Sequence, residues 1–309
     1  MSVRREVAIT FDDLPMQPPL AERRALEEVT ERLVGALVSE GVPAVGFVNE
    51  SELYAGGEPD ESRLDLLRVW LDAGMELGNH TFSHLDLHRA TEDEFRADIA
   101  RGETFTRGLL EARGARLRYF RHPYLHTGLS RGVKESVEAF LRARGMTVAP
   151  VTVQNEEWMF AQVYDRAMLD GDAATMREVA ASFVPYVEET FRYFEGLAHL
   201  LFGREIRHVL LLHASALHAD HLPALAAMLR RRGYTFVTLA RALEDAAYAH
   251  EDHCVTPHGL SWLRRWAVTE GVAPGPQPAP PPRVESLWDE LSGRAAEPPE
   301  ARAVAGETQ

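Results

Sequence analysis

One cysteine, Cys254, is all that 309 residues contain, which excludes an intramolecular disulfide framework and a cysteine metal cage. Long hydrophobic runs are missing too: none approaches the roughly eighteen residues a membrane-spanning helix requires. Basic charge is scarce, with 33 Lys and Arg against 47 Asp and Glu and a formal charge of −14. No basic stretch is available to neutralise phosphates, and an acidic surface repels nucleic-acid backbones and anionic lipid, so nucleic acid is excluded as a partner. No secretory leader is visible, because Met1–Glu6 leads directly into the first apolar run. The expectation is a cytoplasmic protein as the sequence stands, or an extracytoplasmic one if a leader has been removed. Nothing in the sequence sets an oligomeric state.

What is present is a regular alternation. Seven short runs rich in branched and aromatic residues read as strands: Val7–Phe11, Pro43–Val48, Met75–Asn79, Arg118–Arg121, Thr147–Val153, Arg207–His213 and Tyr234–Leu239. Helical patterns lie between most of them. Leu26, Val29, Leu33, Leu37 and Val38 form one apolar stripe, and Leu64, Leu67, Val69 and Leu71 form another before a stop at Gly74. Thr91-Glu-Asp-Glu94 reads as a capping box opening a helix to about Ala112. Repeated strand–helix units predict a parallel α/β fold, and seven units predict a barrel. The barrel is expected over residues 1–245. It is interrupted at about 155–205 by a helical insertion rich in aromatics, which either walls a substrate groove or thickens the core. Residues 246–270 are expected as a helical extension packed on the barrel through the tryptophans of Ser261-Trp-Leu-Arg-Arg-Trp266. Residues 271–309 hold 8 of the 18 prolines and are expected as a disordered tail with one weak turn at Val284–Leu291.

In a parallel barrel the C-terminal strand ends share one rim, where active sites lie. The first strand here ends on Asp12-Asp13, the third runs into His80-Thr-Phe-Ser-His84, the fourth ends Arg121-His-Pro-Tyr124, and the sixth ends on His213. Two adjacent carboxylates repel, and a metal, a basic partner or open water must relieve them. Histidines four apart on a helical turn can turn both imidazoles to one ion. Joined by a carboxylate from another strand end, they make the two-His, one-carboxylate set of a hydrolytic metal site, with positions open for water and substrate.

Together Thr10-Phe-Asp-Asp13, His80-Thr-Phe-Ser-His84, Arg121-His-Pro-Tyr124 and Leu211-Leu-His213 resemble, in order and over about residues 5–245, the motifs of the polysaccharide deacetylases (NodB-homology group, carbohydrate esterase family 4). The resemblance implies a distorted (β/α)7 barrel. It also implies one divalent metal, zinc first, with cobalt or nickel as alternatives, held by Asp13, His80 and His84. Asp12 would be the general base, Arg121 would pair with it, and the Tyr124 backbone N–H would meet the oxyanion beside a substrate wall that includes Leu211. His213 would protonate the leaving amine, and the substrate would be an acetylated amino sugar, oligosaccharide or polymer. One segment departs from the family. Many members carry an Asp-x-x-Asp-Trp-like stretch whose acid tunes the catalytic histidine, and this chain reads Gln154-Asn-Glu-Glu-Trp158. Glu157 is expected in that role, with Trp158 lining the groove.

Two other readings stay open: an amidohydrolase or acetyl esterase acting on a small or O-acetylated substrate, and a catalytically silent carbohydrate-binding protein of the same fold. Among the remaining histidines, His126 is expected at the site or one layer behind it, His88 on the surface, and His122 pointing away from the site. His218 and His221 are expected to cap a helix or face solvent. His250, His253, Cys254 and His258 match no standard zinc spacing.

Overall fold

The computed structural model describes residues 5–16, 20 and 22–293. Among the described residues nine strands form: β1 (Arg5–Leu14), β2 (Ala44–Val48), the hairpin β3 (Tyr54–Ala55) and β4 (Glu58–Pro59), β5 (Glu76–Asn79), β6 (Tyr119–Phe120), β7 (Thr147–Val148), β8 (His208–His213) and β9 (Tyr234–Phe236). Apart from the hairpin they make one parallel sheet in the order β7-β6-β5-β2-β1-β8, with β9 joined to the start of β1. A parallel bridge between Val153 and Leu210 ties the segment after β7 to β8, so the sheet curls into a partly closed barrel. The seven expected strands are these seven, and all of β2 is buried, as a parallel strand covered on both faces should be.

The helices are α1 (Arg23–Ser39), α2 (Glu61–Asp72), α3 (Glu92–Arg101), α4 (Thr104–Glu111), α5 (Arg131–Ala143), α6 (Glu157–Leu169), α7 (Ala173–Phe202), α8 (Ala216–Arg231), α9 (Leu239–Leu243), α10 (Trp262–Thr269) and α11 (Pro282–Ser292). Helix α1 buries Leu26, Val29, Leu33 and Leu37 as its stripe predicts, while Val38 lies outside it and is exposed. Under the barrel, Trp70 of α2 meets Phe11 of β1 edge to face at 5.5 Å. Among the described residues no helix is long and apolar enough to cross a membrane.

Two expectations change, and the insertion takes a definite form. The capping box at Thr91 is present, but the helix it opens ends at Arg101 and restarts at Thr104. Gly102 sits there because a Cβ would come within 2.6 Å of the Thr81 backbone, and Glu50 caps the new start, its carboxylate accepting from the N–H groups of Phe105 and Thr106. The helical insertion becomes α6 and α7. Phe160, Tyr164, Phe183, Tyr186, Phe191 and Phe194 are buried in the core, while Trp158, at the start of α6, reaches a cavity. Part of the expected disordered tail is ordered, because α11 buries Val284 and Trp288. The Trp288 ring packs edge to face on Trp158 at 5.0 Å, and its Nε1 donates to Gln162 at 2.9 Å. Residues 294–309 of that tail lie outside the described residues.

Candidate active site

Strand alternation would send Asp12 and Asp13 to opposite faces. The β1–β2 register instead shifts between Phe11 and Leu14, and Asp13 takes φ 60°, so both carboxylates border one cavity. Asp12 pairs in register with His213 of β8. The buried Arg121 lies beneath: Nη1 approaches the Asp12 carboxylate at 3.3 Å, Nη2 donates to Thr10 Oγ1 at 3.0 Å, and Nε donates to the Ala149 carbonyl at 2.9 Å.

The His80–His84 segment is a loop and no helical turn, with Thr81 and His84 at φ 67° and 55°. It holds this shape through bonds to its surroundings. Asn79 accepts from the Thr81 N–H and donates to the Ile99 and Gly102 carbonyls, while Asp98 accepts from the N–H groups of Phe82 and Ser83. Every positive-φ non-glycine among the described residues (Asp13, Thr81, His84, Tyr124 and Leu125) stands on this rim. Each costs on the order of 1–3 kcal/mol, and such strain collects at functional sites.

His80 Nδ1 donates to the Arg121 carbonyl at 2.8 Å, which leaves the Nε2 lone pair facing Asp13 Oδ1 at 3.6 Å. His84 Nε2 stands at the same distance from that oxygen, which is buried without a hydrogen-bond partner. Burial, with His84 adding to it, pushes His80 down to about 4 against the pull of Asp12 and Asp13, so the ring is neutral at pH 7. Burial works to raise Asp13, yet His84, His213 and His80 hold it below the usual carboxylate range. Two imidazoles and a carboxylate oxygen thus converge at separations near the ~3.3–3.5 Å expected for ligands about a tetrahedral divalent ion. This donor set fits a divalent cation.

Across the rim, Glu157 begins α6 fully buried, and its Oε1 accepts from His213 Nδ1 at 2.7 Å. Asn155 fixes the approach, accepting from the Glu157 N–H and donating to the Leu211 carbonyl. The Glu157 side chain thus reaches His213 from the first position of α6. Burial works against a charged imidazole, but Glu157, then Asp13 and Asp12, lift His213 to about 9. Its Nε2 is 3.9 Å from Asp13 Oδ2. Between these groups opens a cavity of about 400 Å³, walled also by Met16, Asn49, Tyr124, Glu156, Trp158 and Leu211.

Other candidates fall elsewhere. His126 is buried one layer behind Tyr124, its Nδ1 bonded to Asp86 at 2.7 Å, and it does not line the cavity. His88 is half-buried, with its ring stacked on His126 at 3.9 Å. Asp86, His88 and His126 form a second cluster of ligand types, but parallel stacked rings aim their in-plane lone pairs past each other and do not converge on one ion. His122 packs against Phe95 and Phe120 at the edge of the cavity. His221 packs on Tyr164. His250 pairs with Glu270 and His253 with Glu251, and Cys254 is buried, so no third cluster arises among the described residues. His218, expected at a cap or in solvent, is fully buried behind Glu157. Gly259 carried no signal in the sequence, yet a Cβ there would lie 1.9 Å from the Tyr124 carbonyl oxygen. The C-terminal extension thus passes directly against the Arg121–Tyr124 loop, with Gln154 bonded to Gly259 and Ser261.

The family profile described as Polysaccharide deacetylase matches residues 2–147, a stretch that includes Asp12, Asp13, His80, His84, Arg121 and Tyr124. Through that stretch, just under half of its length, the chain is similar to the polysaccharide deacetylase family. A peptidoglycan-N-acetylglucosamine deacetylase of Bacillus cereus is 30% identical over 121 residues, 39% of this chain and 37% of that protein. The chain therefore matches little more than a third of that relative's length. Among solved structures, a CE4 family pseudoenzyme from Bacillus anthracis has a TM-score of 0.51 at 14% identity, over 79% of this chain and 66% of that one. A mutant of the pseudoenzyme described as having restored enzymatic activity gives 0.52 at 17% identity, over 79% and 69%. A polysaccharide deacetylase of Bacillus cereus gives 0.50 at 18% identity, over 76% of this chain and 92% of that one. At such identities the likeness is one of fold.

Proposed function

We propose that this chain is a metal-dependent hydrolase that removes N-acetyl groups from an amino-sugar oligosaccharide or polymer. The observation that carries the reading is the arrangement of Asp13, His80 and His84 around one buried, partnerless carboxylate oxygen, with Asp12–Arg121 on one side and His213–Glu157 on the other. Those three residues would hold a divalent cation, zinc first, with cobalt or nickel as alternatives. Such an ion acidifies a water and polarises the carbonyl under attack.

The remaining work falls to the protein. Asp12, oriented by Arg121, takes the proton of the attacking water. The Tyr124 N–H supports the oxyanion. His213 carries a proton at neutral pH and gives it to the departing amine, which would otherwise leave as a very poor anion. Leu211 and Trp158 bound the space for the sugar.

The test is acetate release from N-acetylated chito-oligosaccharides and peptidoglycan fragments, with aryl and sugar O-acetates alongside. The protein is assayed after chelation and after reloading with zinc. Metal-dependent release from an N-acetyl sugar is expected, with loss of both metal and activity in His84→Ala. Release confined to O-acetates would make this an acetyl esterase, and binding without release would make it a silent carbohydrate-binding protein.

A further inference from the structure

His218 lies behind the catalytic pair, where the Arg121, His80 and Asp13 motifs do not reach. Its ring is fully buried, boxed by Phe11 and Phe183, whose ring centroids lie 5.8 and 5.3 Å away. Two buried polar atoms in this region have no hydrogen-bond partner: Glu157 Oε2 and His218 Nε2. They face each other at 3.5 Å. A buried carboxylate oxygen without a donor is costly, and a single proton on Nε2 would satisfy both atoms.

On the other side of the ring, His218 Nδ1 is 2.8 Å from the hydroxyl of Ser215. Ser215 caps α8, and its oxygen accepts from the His218 backbone N–H, so its own hydrogen is free to point at Nδ1. The ring also comes within reach of the His213 carbonyl, which offers the rival tautomer with the proton on Nδ1. That tautomer would turn a lone pair of Nε2 toward the carboxylate between two phenyl rings and would leave the serine hydrogen without its acceptor.

We infer that His218 is a positioning residue of the deacetylation reaction: as a neutral Nε2–H imidazole it donates to Glu157 and fixes the carboxylate that orients His213. The hydrogen bonds then run in one direction. Ser215 O–H donates to His218 Nδ1, His218 Nε2–H donates to Glu157 Oε2, and Glu157 Oε1 accepts from His213 Nδ1–H. Both carboxylate oxygens of Glu157 are held, so its longer side chain, with one more rotatable bond than an aspartate, is pinned to a single rotamer. This inference rests on the reading of His213 as the acid.

The experiment compares His218→Phe, which keeps a ring and removes both nitrogens, with His218→Gln, whose amide N–H can reach toward Glu157. Activity is measured on an N-acetylated chito-oligosaccharide and on an aryl acetate, with metal content measured beside it. His218→Phe should lose about ten- to a hundredfold in kcat on the amide, the range that loss of a hydrogen bond to a buried charge converts to, with KM and bound metal unchanged. The aryl ester, whose leaving group departs unaided, should lose much less, and His218→Gln should recover most of the loss. Equal losses on the two substrates, or a Gln variant no better than Phe, would overturn the inference. Nitrogen-15 NMR of the wild-type ring tests it without relying on any variant's folding: a protonated Nε2 with bare Nδ1 is expected, and the opposite tautomer overturns the proposal. Wild-type protein that releases no acetate from any N-acetyl sugar would remove the functional reading itself, while the tautomer would still decide the hydrogen-bond chain.

Discussion

Replacing Glu157 with Gln keeps an oxygen for His213 Nδ1–H and removes one charge. In the metal-free protein His213 is lifted to about 9, and burial opposes that rise while Glu157 is the largest contribution toward it. The rise above an ordinary histidine corresponds to about 3 kcal/mol of preference for the charged ring. Without the Glu157 charge, burial prevails and His213 should titrate at or below its ordinary value. At pH 7.5 the protonated fraction then drops from nearly all to roughly a tenth or less. The sign for stability follows. A folded-state value above the unfolded one stabilises fully below about pH 6.5, and this contribution is lost as pH rises through about 9. Glu157→Gln should therefore cost most stability near pH 6 and least near pH 10. NMR titration of the metal-free imidazole reads the shift, denaturation at the two pH values reads the linkage, and kcat on an N-acetyl sugar against pH reads the chemistry, its alkaline limb moving toward acid in the variant. A cation at Asp13 removes that carboxylate's share of the rise and lowers both limbs, leaving the direction of the Glu157 effect intact. A His213 titration that does not move in Glu157→Gln would refute the reasoning.

Three further outcomes are expected. His213→Ala should damage deacetylation of an N-acetyl sugar far more than hydrolysis of an aryl acetate, because only the amine needs a proton to leave; equal losses would assign His213 to substrate positioning. Gly259→Ala would place a methyl 1.9 Å from the Tyr124 carbonyl, so the loop must shift at a cost of about 1–3 kcal/mol, seen as a lower Tm and reduced kcat with metal retained; an unchanged Tm and kcat would contradict it. Asp165 is buried with Oδ2 unpartnered, and burial, followed by smaller contributions from Asp220 and Glu157, raises it to about 7. Since the folded state keeps this proton while the unfolded chain releases it near 4, stability should fall as pH rises from about 4 to about 7, by up to about 4 kcal/mol. Asp165→Asn should flatten that fall in urea titrations at pH 5 and 8, and parallel curves for wild type and variant would count against it.

The strands were legible because a parallel strand covered on both faces is a nearly unbroken apolar run, and β1, β2 and β8 are such runs. The rim residues followed because strand ends in such a fold share one face. What stayed hidden depends on contacts between segments distant in sequence. Gly102 and Gly259 look like ordinary loop glycines until the backbones they pass are in place. The four-residue spacing of His80 and His84 suggested a helical turn, but positive φ at Thr81 and His84, held by Asn79 and Asp98, does the aiming. Proline-rich flanks masked α11, whose buried Val284 and Trp288 have the spacing of one helix face. His218 lay at a helix start where exposure is common, and the packing of β1, α6 and α7 against the start of α8 buries it.

The most direct measurement is anomalous diffraction from crystals of the zinc-loaded protein. One peak is expected, about 2.0–2.2 Å from Asp13, His80 Nε2 and His84 Nε2, with the Asp12 carboxylate off the ion and still paired with Arg121. A peak bonded to Asp12 in place of Asp13, a peak only at Asp86, His88 and His126, or no peak at the rim would contradict the account.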